Sequence, residues 1–164
     1  MSSSTGFIGG GFAMDSLDFM LWAALRYDDD RFVFVVLLTL IGSQDPGGQI
    51  TKTQEQIGAQ LGYSRGHIAR VLRVLEDDGV LRRIQRGVYQ LNPAASLRGG
   101  LLPEPKGKSG TRRPRPERVE QLDLLRQILE DPDAPEAFRA MAAPGAELET
   151  SRGTTKTKKG RETS

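Results

Sequence analysis

The sequence of 164 residues contains no cysteine and a single histidine, His67. Disulfide frameworks and thiolate metal sites are therefore excluded, and one imidazole excludes metal sites built from paired histidines. The longest apolar run covers ten residues, 32–41, about half of the ~20 residues that span a bilayer. The N-terminal sequence MSSSTGFIGGGF has neither the basic region nor the cleavage site of a secretion signal. These absences predict a cytoplasmic protein with no cofactor, no metal and no membrane partner.

Charge is distributed unevenly, although the formal net charge is only +2. Residues 1–30 carry five aspartates and one arginine, whereas residues 64–91 carry six arginines against three acidic residues. Residues 98–118 are more basic still, with seven lysines and arginines against two glutamates. Such blocks favour contact with a polyanion, and a solvated charged surface is the alternative interpretation.

Composition divides the chain into five segments, because its two ends and its middle lack a packable apolar pattern. The predicted organisation is a flexible N-terminus at 1–13, a folded domain at 14–97, a basic linker at 98–117, a short helical segment at 118–143 and a disordered tail at 144–164. The amphipathic helix of the fourth segment is predicted at 118–130. Its apolar stripe comprises Val119, Leu122, Leu125 and Leu129.

Two helices are predicted before residue 45. The first covers Asp15 to Arg26, with an apolar stripe of Leu17, Met20, Leu21 and Leu25. The second covers Arg31 to Ile41, because three aspartates before it supply an N-cap and Gly42 supplies a stop. Its β-branched and aromatic residues would also suit a buried strand. The acidic cap and the glycine favour the helix.

A helix-turn-helix pattern follows at residues 53–78. Thr53, with Gln56 three residues later, forms a capping box for a helix that ends at Leu61. Gly62 suits the turn, where a left-handed backbone and the absence of a Cβ are expected to allow a steep crossing. Ser64 caps the next helix, whose apolar stripe comprises Ile68, Val71, Leu72 and Leu75.

Two short strands, 80–84 and 88–91, then join around Arg86-Gly87 as a hairpin. The predicted fold is therefore mainly α with a small β-hairpin wing. It is a winged helix-turn-helix, followed by a flexible basic C-terminal extension with a short amphipathic helix.

The second helix of the pair leaves a basic face opposite its apolar stripe. Recognition helices insert N-terminal residues into the major groove, where arginine binds guanine bidentately. The acidic residues 76–78 would repel phosphate and place DNA toward the N-terminal end. On the hairpin, Arg82 and Arg83 point to opposite faces, and the tip suits a phosphate backbone or a minor groove. The predicted DNA-binding residues are Thr53, Ser64, Arg65, Gly66, His67, Arg70, Arg73, Arg83 and Arg86.

Enzymatic activity is not expected. A nicking initiator needs a metal held by paired histidines near a nucleophilic tyrosine, and His67 stands alone. Gly107-Lys108-Ser109 resembles the end of a phosphate-binding loop, but the first glycine of that motif would have to be residue 102, which is a leucine.

Longer patterns run through residues 7–100. They comprise FIGGGF, LDFMLWAAL, RFVFVVLLTLI, ITKTQEQIGAQLGYSRGHIARVLRVLEDDGVLRR and GVYQLNPAASLRGG. Together they resemble the RepL-type plasmid replication protein family, in which the hairpin ends in an Asn-Pro element, here Asn92-Pro93, and an Arg-Gly, here Arg98-Gly99, follows. The resemblance implies an origin-binding initiator or maintenance protein with host replication proteins as partners. By position it implies DNA contacts from Ser64, Arg65, His67, Arg70 and Arg86.

The chief alternative is a sequence-specific transcriptional regulator, MarR-like or another winged-helix repressor. Either function takes double-stranded DNA as its ligand, at an origin or an operator. A homodimer is also expected, and the helix at 118–130 is the segment predicted to pair with its twin or to dock on a replication partner.

Overall fold

The computed structural model describes residues 6–101 and 118–148. The helices of these ranges are α1 (Leu17–Arg26), α2 (Arg31–Ser43), α3 (Gln54–Leu61), α4 (Arg65–Asp77), α5 (Gln121–Glu130) and α6 (Glu136–Ala142). The strands are β1 (Met14–Asp15), β2 (Gln49–Ile50), β3 (Leu81–Gln85), β4 (Val88–Leu91) and β5 (Ser96–Leu97). Predictions for residues 1–5, most of the basic linker (102–117) and most of the tail (149–164) lie outside the described residues.

The strands form two small antiparallel sheets. One has the order β2-β4-β3, and the other pairs β1 with β5. The β3–β4 hairpin turns at Arg86-Gly87, as predicted, and β2 ties the chain just before α3 to the inner strand of that hairpin. The helix pair α3–α4 therefore lies beside the hairpin, and the predicted winged helix-turn-helix is confirmed.

α2 is a helix and not a strand. The Asp30 carboxylate accepts the backbone N–H of Val33 at 3.4 Å, so the predicted acidic cap is confirmed. The predicted stop at Gly42 is wrong, because the helix continues through Gly42 to Ser43. The residue after it, Gln44, has an extended backbone. Gly42 is exposed, and a Cβ placed there would meet nothing within 4 Å. It therefore fits a helix without ending it.

α1 buries the face opposite to the one predicted. Phe19, Trp22 and Ala23 pack into the core, and Trp22 lies edge-on to the buried ring of Tyr27 at 5.7 Å. The predicted stripe of Leu17, Met20, Leu21 and Leu25 is exposed. The helix is apolar on nearly every side, so periodicity alone does not select a face, and burial of the large aromatic rings decides it.

The turn between α3 and α4 requires two glycines for different reasons. Gly62 has a left-handed backbone with φ of 73°, as predicted, but a Cβ there would meet nothing within 4 Å. The predicted steric requirement at Gly62 is therefore wrong. The close approach occurs at Gly58, where a Cβ would lie 2.4 Å from the carbonyl oxygen of Tyr63. Gly58 lets the turn lie directly against α3.

The C-terminal helices pack against the domain. Ile128, Ala134, Phe138 and Ala142 form a small apolar cluster, and Met141 joins the main core. Of the stripe predicted for the helix at 118–130, Leu122 and Leu129 are exposed. The buried residue Ile128 was not in that stripe. Leu148, in the segment predicted to be a disordered tail, also packs on the main core.

Asn92 joins the wing to this C-terminal segment. Its side chain is fully buried and donates to the carbonyl oxygens of Gly79 at 3.1 Å and Phe138 at 2.9 Å. The amide oxygen of the same side chain accepts the backbone N–H of Ala94. Arg98 is likewise held, because its guanidinium donates to the carbonyl of Gln44 at 3.0 Å. The Asn-Pro and Arg-Gly elements thus have structural roles in the described part of the chain.

Candidate nucleic-acid interface

α4 separates apolar from basic side chains cleanly. The Ser64 hydroxyl accepts the N–H of His67 at 3.2 Å and starts the helix. The buried face comprises Ile68, Val71, Leu72 and Leu75. The exposed side comprises Arg65, Gly66, Arg70 and Arg73. The buried set follows the prediction from the sequence, and so do these four exposed residues, whereas His67, predicted on the same basic face, is partly buried. The Ser64 side chain is engaged in the cap.

Two of these arginines form ion pairs at the surface. Arg65 lies 3.3 Å from Glu55, and Arg70 lies 3.1 Å from Asp30. Both guanidinium groups remain at least half exposed, at 65% and 50%, and surface pairs of this kind contribute about 0–1 kcal/mol. Such pairs can exchange a carboxylate for a DNA phosphate at little cost.

Asp30 shows the coupling between α2 and α4. Partial burial acts to raise its pKa, but hydrogen bonds from Arg70 and the backbone of Val33 outweigh burial and lower it. The carboxylate therefore stays ionised, and it holds Arg70 while capping α2. Replacing Arg70 with glutamate would set two carboxylates against each other and remove this contact between α2 and α4.

Charges from α4 and from the wing act on the same two glutamates, Glu55 and Glu76. The pKa of Glu55 is lowered first by its own backbone N–H and then by the charges of Arg65 and Arg86. Burial raises the pKa of Glu76, and so does the neighbouring charge of Asp77, while the charges of Arg83 and Arg73 act in the opposite direction. Two arginines therefore outnumber the single carboxylate at Glu55, whereas at Glu76 the two arginines are balanced by two carboxylates.

The wing tip reaches the start of α3. Gly87 has a left-handed backbone with φ of 72°, and a Cβ there would lie 3.3 Å from the Thr53 methyl group. Thr53 itself is engaged, because its hydroxyl accepts the N–H of Gln56 at 3.2 Å in the capping box. Arg86 is exposed on this turn. The wing tip, Thr53 and the start of α4 thus border one surface.

Arg82 and Arg83 have different surroundings. Arg82 donates to Gln90 at 2.8 Å and to Asp131 at 2.7 Å, and it lies over the Phe138 ring at 5.2 Å. Arg83 is exposed. The expectation that the two point apart is confirmed, and Arg82 is committed to holding the C-terminal segment.

His67 sits in an aromatic cluster at the start of α4. Its ring lies 4.4 Å from that of Phe32 and 5.2 Å from that of Tyr63, measured between centroids. The Arg31 guanidinium lies 5.2 Å above the Phe32 ring. His67 therefore helps to pack α2 on α4, and Arg31 adds a cation beside the interface that the sequence pattern did not indicate.

The acidic end of α4 is less repulsive than predicted. The Asp78 carboxylate accepts two hydrogen bonds from Arg26, at 2.6 and 2.9 Å, and one from the Tyr27 hydroxyl at 2.7 Å. These contacts satisfy Asp78 within the protein and attach α1 to the C-terminal end of α4. Of residues 76–78, Asp77 is exposed and the other two are partly buried.

Two other kinds of site are absent from the described residues. Residues 6–101 and 118–148 contain no group of three or more His, Asp or Glu side chains that could hold a metal ion. None of the helices in these ranges combines the length and apolarity that a membrane crossing requires.

The central segment of the chain is similar to a known domain family. Residues 33–97 match the family model of the Crp-like helix-turn-helix domain. No curated protein and no solved structure matches the chain. The matched range begins within α2 and ends at β5, so it leaves out α1, α5 and α6. The geometry and this match together support double-stranded DNA as the ligand of a winged helix-turn-helix domain in this chain.

Proposed function

We propose that this protein recognises a plasmid origin as double-stranded DNA and acts there as a replication initiator or maintenance protein. The observation that carries DNA binding is that arginines are exposed both on α4 (Arg65, Arg70 and Arg73) and on the wing (Arg83 and Arg86). The wing tip lies against Thr53 at the start of α3, and Glu55 of α3 pairs with Arg65 of α4. Two neighbouring elements thereby present cations to one ligand.

In this proposal, the N-terminal half of α4 enters the major groove. Arg70 and Arg73 are long enough to reach base edges, and each bidentate contact with guanine is worth about 1–3 kcal/mol of discrimination. Gly66 permits close approach of the helix backbone. Arg86 follows the phosphate backbone or enters the minor groove, and Arg65 leaves Glu55 for a phosphate.

Assignment to replication rests on the resemblance of residues 7–100 to RepL-type proteins. Its most distinctive elements, Asn92-Pro93 and Arg98-Gly99, hold the fold together in the described structure. They therefore support a fold shared with RepL-type proteins more directly than a shared function.

A sequence-specific transcriptional regulator is the second candidate. The match of residues 33–97 to the Crp-like helix-turn-helix domain favours it. The same face of α4 would then bind an operator, and no contact within the domain would differ.

One experiment identifies the site, and a second separates the two functions. Selection of a bound sequence from random duplexes, followed by footprinting on the flanking DNA, locates the natural site. The gene and that DNA are then transferred to a plasmid that lacks an origin. Autonomous replication supports initiation, and its loss with Arg73→Glu links replication to the α4 face. A site within a promoter, without autonomous replication, supports regulation instead.

A further inference from the structure

α1 leaves an apolar face open to solvent. Leu17, Met20, Leu21 and Leu25 are 77%, 53%, 60% and 38% exposed, and the charged residue beside them, Asp18, is exposed as well. The opposite side of the same helix packs into the core through Phe19 and Trp22. A helix that is apolar on all sides is normally buried on all sides, so this face calls for a covering surface.

The rest of the chain has little to cover it with. The described residues leave the four side chains exposed. Residues 1–5, 102–117 and 149–164 together contain only two large apolar side chains, Met1 and Leu102. These segments therefore offer almost no apolar surface that could cover α1.

We propose that a second copy of this chain covers the face, with α1 packed antiparallel against α1 of the partner subunit. Leu17, Leu21 and Leu25 are spaced four residues apart, so the row is symmetric about Leu21. A two-fold axis there sets Leu17 against Leu25 of the partner subunit, and every contact is made twice, as an isologous interface requires.

Charge and dipole favour the antiparallel arrangement. Asp15 and Asp18 lie at the N-terminal end of α1, and Arg26 lies at its C-terminal end. Antiparallel packing brings the acidic end of each helix near Arg26 of the other, whose side chain is 51% exposed although it also binds Asp78. The two helix dipoles then also oppose each other favourably.

Exposed apolar side chains of α1 and of the segment directly before it together offer the area that a stable dimer needs. Eight large apolar side chains between Phe7 and Leu25 are 38–102% exposed. Scaled from the 150–250 Å² of an aromatic side chain, they offer on the order of 100 Å² each. Together they provide roughly 800 Å² per subunit, which is the usual contribution of one partner to a specific interface.

The location leaves the DNA-binding surface free. Arg26 and Tyr27 attach the end of α1 to Asp78, at the C-terminal end of α4. The N-terminal end of α4, which carries Ser64 and Arg65, lies about 20 Å away along the helix. A dimer through α1 therefore keeps both recognition surfaces accessible for two half-sites. The assembly is expected in the absence of DNA and does not depend on the proposed function.

The test uses the full-length chain and sedimentation equilibrium at micromolar concentrations. The wild type is expected to be a dimer. Leu21→Glu places like charges across the two-fold axis and should weaken the dimer by about 100-fold or more. Because Leu21 is exposed and glutamate is a good helix former, the circular dichroism spectrum should not change. Leu38→Glu, at an exposed leucine of α2, is the matched control and should remain dimeric.

A charge exchange identifies the partner as a second copy. Leu21→Lys alone should be monomeric, like Leu21→Glu, whereas an equimolar mixture of the two variants should form heterodimers, because position 21 faces itself across the axis. A monomeric wild type, a Leu21→Glu variant that stays dimeric, or a mixture that fails to associate would each overturn the proposal.

Discussion

α1 and α4 are attached to each other through Arg26 and Asp78, yet their outer faces have opposite character. Each helix packs one side on the same core, which includes Trp22 of α1 and Leu72 of α4. The outer face of α4 is basic, whereas that of α1 is apolar. A basic face is stable in water and ready for a polyanion, whereas an apolar face is stable only when another surface covers it. The difference indicates that the two faces serve different partners.

The largest expected effect is on stability, and it tests the close packing of α3 against the turn that orients α4. In Gly58→Ala, the added Cβ would lie 2.4 Å from the Tyr63 carbonyl oxygen, so α3 and the turn must separate. We expect a loss of about 3 kcal/mol in the free energy of unfolding, measured with urea. Gly42→Ala, at an exposed helical glycine of α2, is the control and should be neutral or stabilising. Equal stability of the two variants would contradict the close packing at Gly58.

A charge reversal on α4 tests the assignment of its face. Arg73 is exposed and lies outside the buried stripe, so Arg73→Glu should fold normally. We expect this variant to lose about 1–3 kcal/mol of binding free energy for the selected duplex, which is about tenfold to 100-fold in affinity. Fluorescence anisotropy at fixed salt measures this. Arg126→Glu on α5 makes the same change in net charge and should bind nearly as the wild type does.

The contact between the two helices can be broken at Asp78. Asp78→Ala leaves the buried Tyr27 hydroxyl and the Arg26 guanidinium without their acceptor. The expected loss of stability is about 1–3 kcal/mol. Trp22 is the only tryptophan and lies 5.7 Å from the Tyr27 ring, so its fluorescence reports the change locally. Asp77→Ala, at the exposed neighbour, should alter neither stability nor fluorescence.

The smallest expected change in stability comes from Gly66→Ala. Together with DNA binding, it distinguishes a helix that faces DNA from one that faces only solvent. A Cβ at Gly66 would meet no protein atom within 4 Å, so Gly66→Ala should stabilise α4 by about 0.5–1 kcal/mol. If the helix backbone approaches the duplex closely, the same methyl group should weaken DNA binding. Thermal unfolding and anisotropy together check this pair of effects. A variant that is more stable and binds DNA normally would remove Gly66 from the interface.

The sequence predicted α4 better than α1, and the reason is physical. Polar and apolar residues segregate on α4, so helical spacing alone identifies Ile68, Val71 and Leu72 as its buried face. α1 has no such contrast. Which of its faces is buried depends on the packing of its aromatic rings, Phe19 and Trp22, into the core. Capping residues such as Thr53 and Ser64 act over three residues and were predictable. The contacts of Arg82 with Asp131 and of Asn92 with Phe138 join residues more than 40 positions apart, so no local pattern could reveal them.

The central claim is that the outer face of α4 and the wing form the DNA-binding surface, and backbone amide chemical shifts on titration with the selected duplex test it most directly. The account predicts the largest shifts from Ser64 to Arg73 and around Arg86, and small shifts over the exposed face of α1. Shifts concentrated on α1 or α5, with Ser64 to Arg73 unchanged, would contradict it.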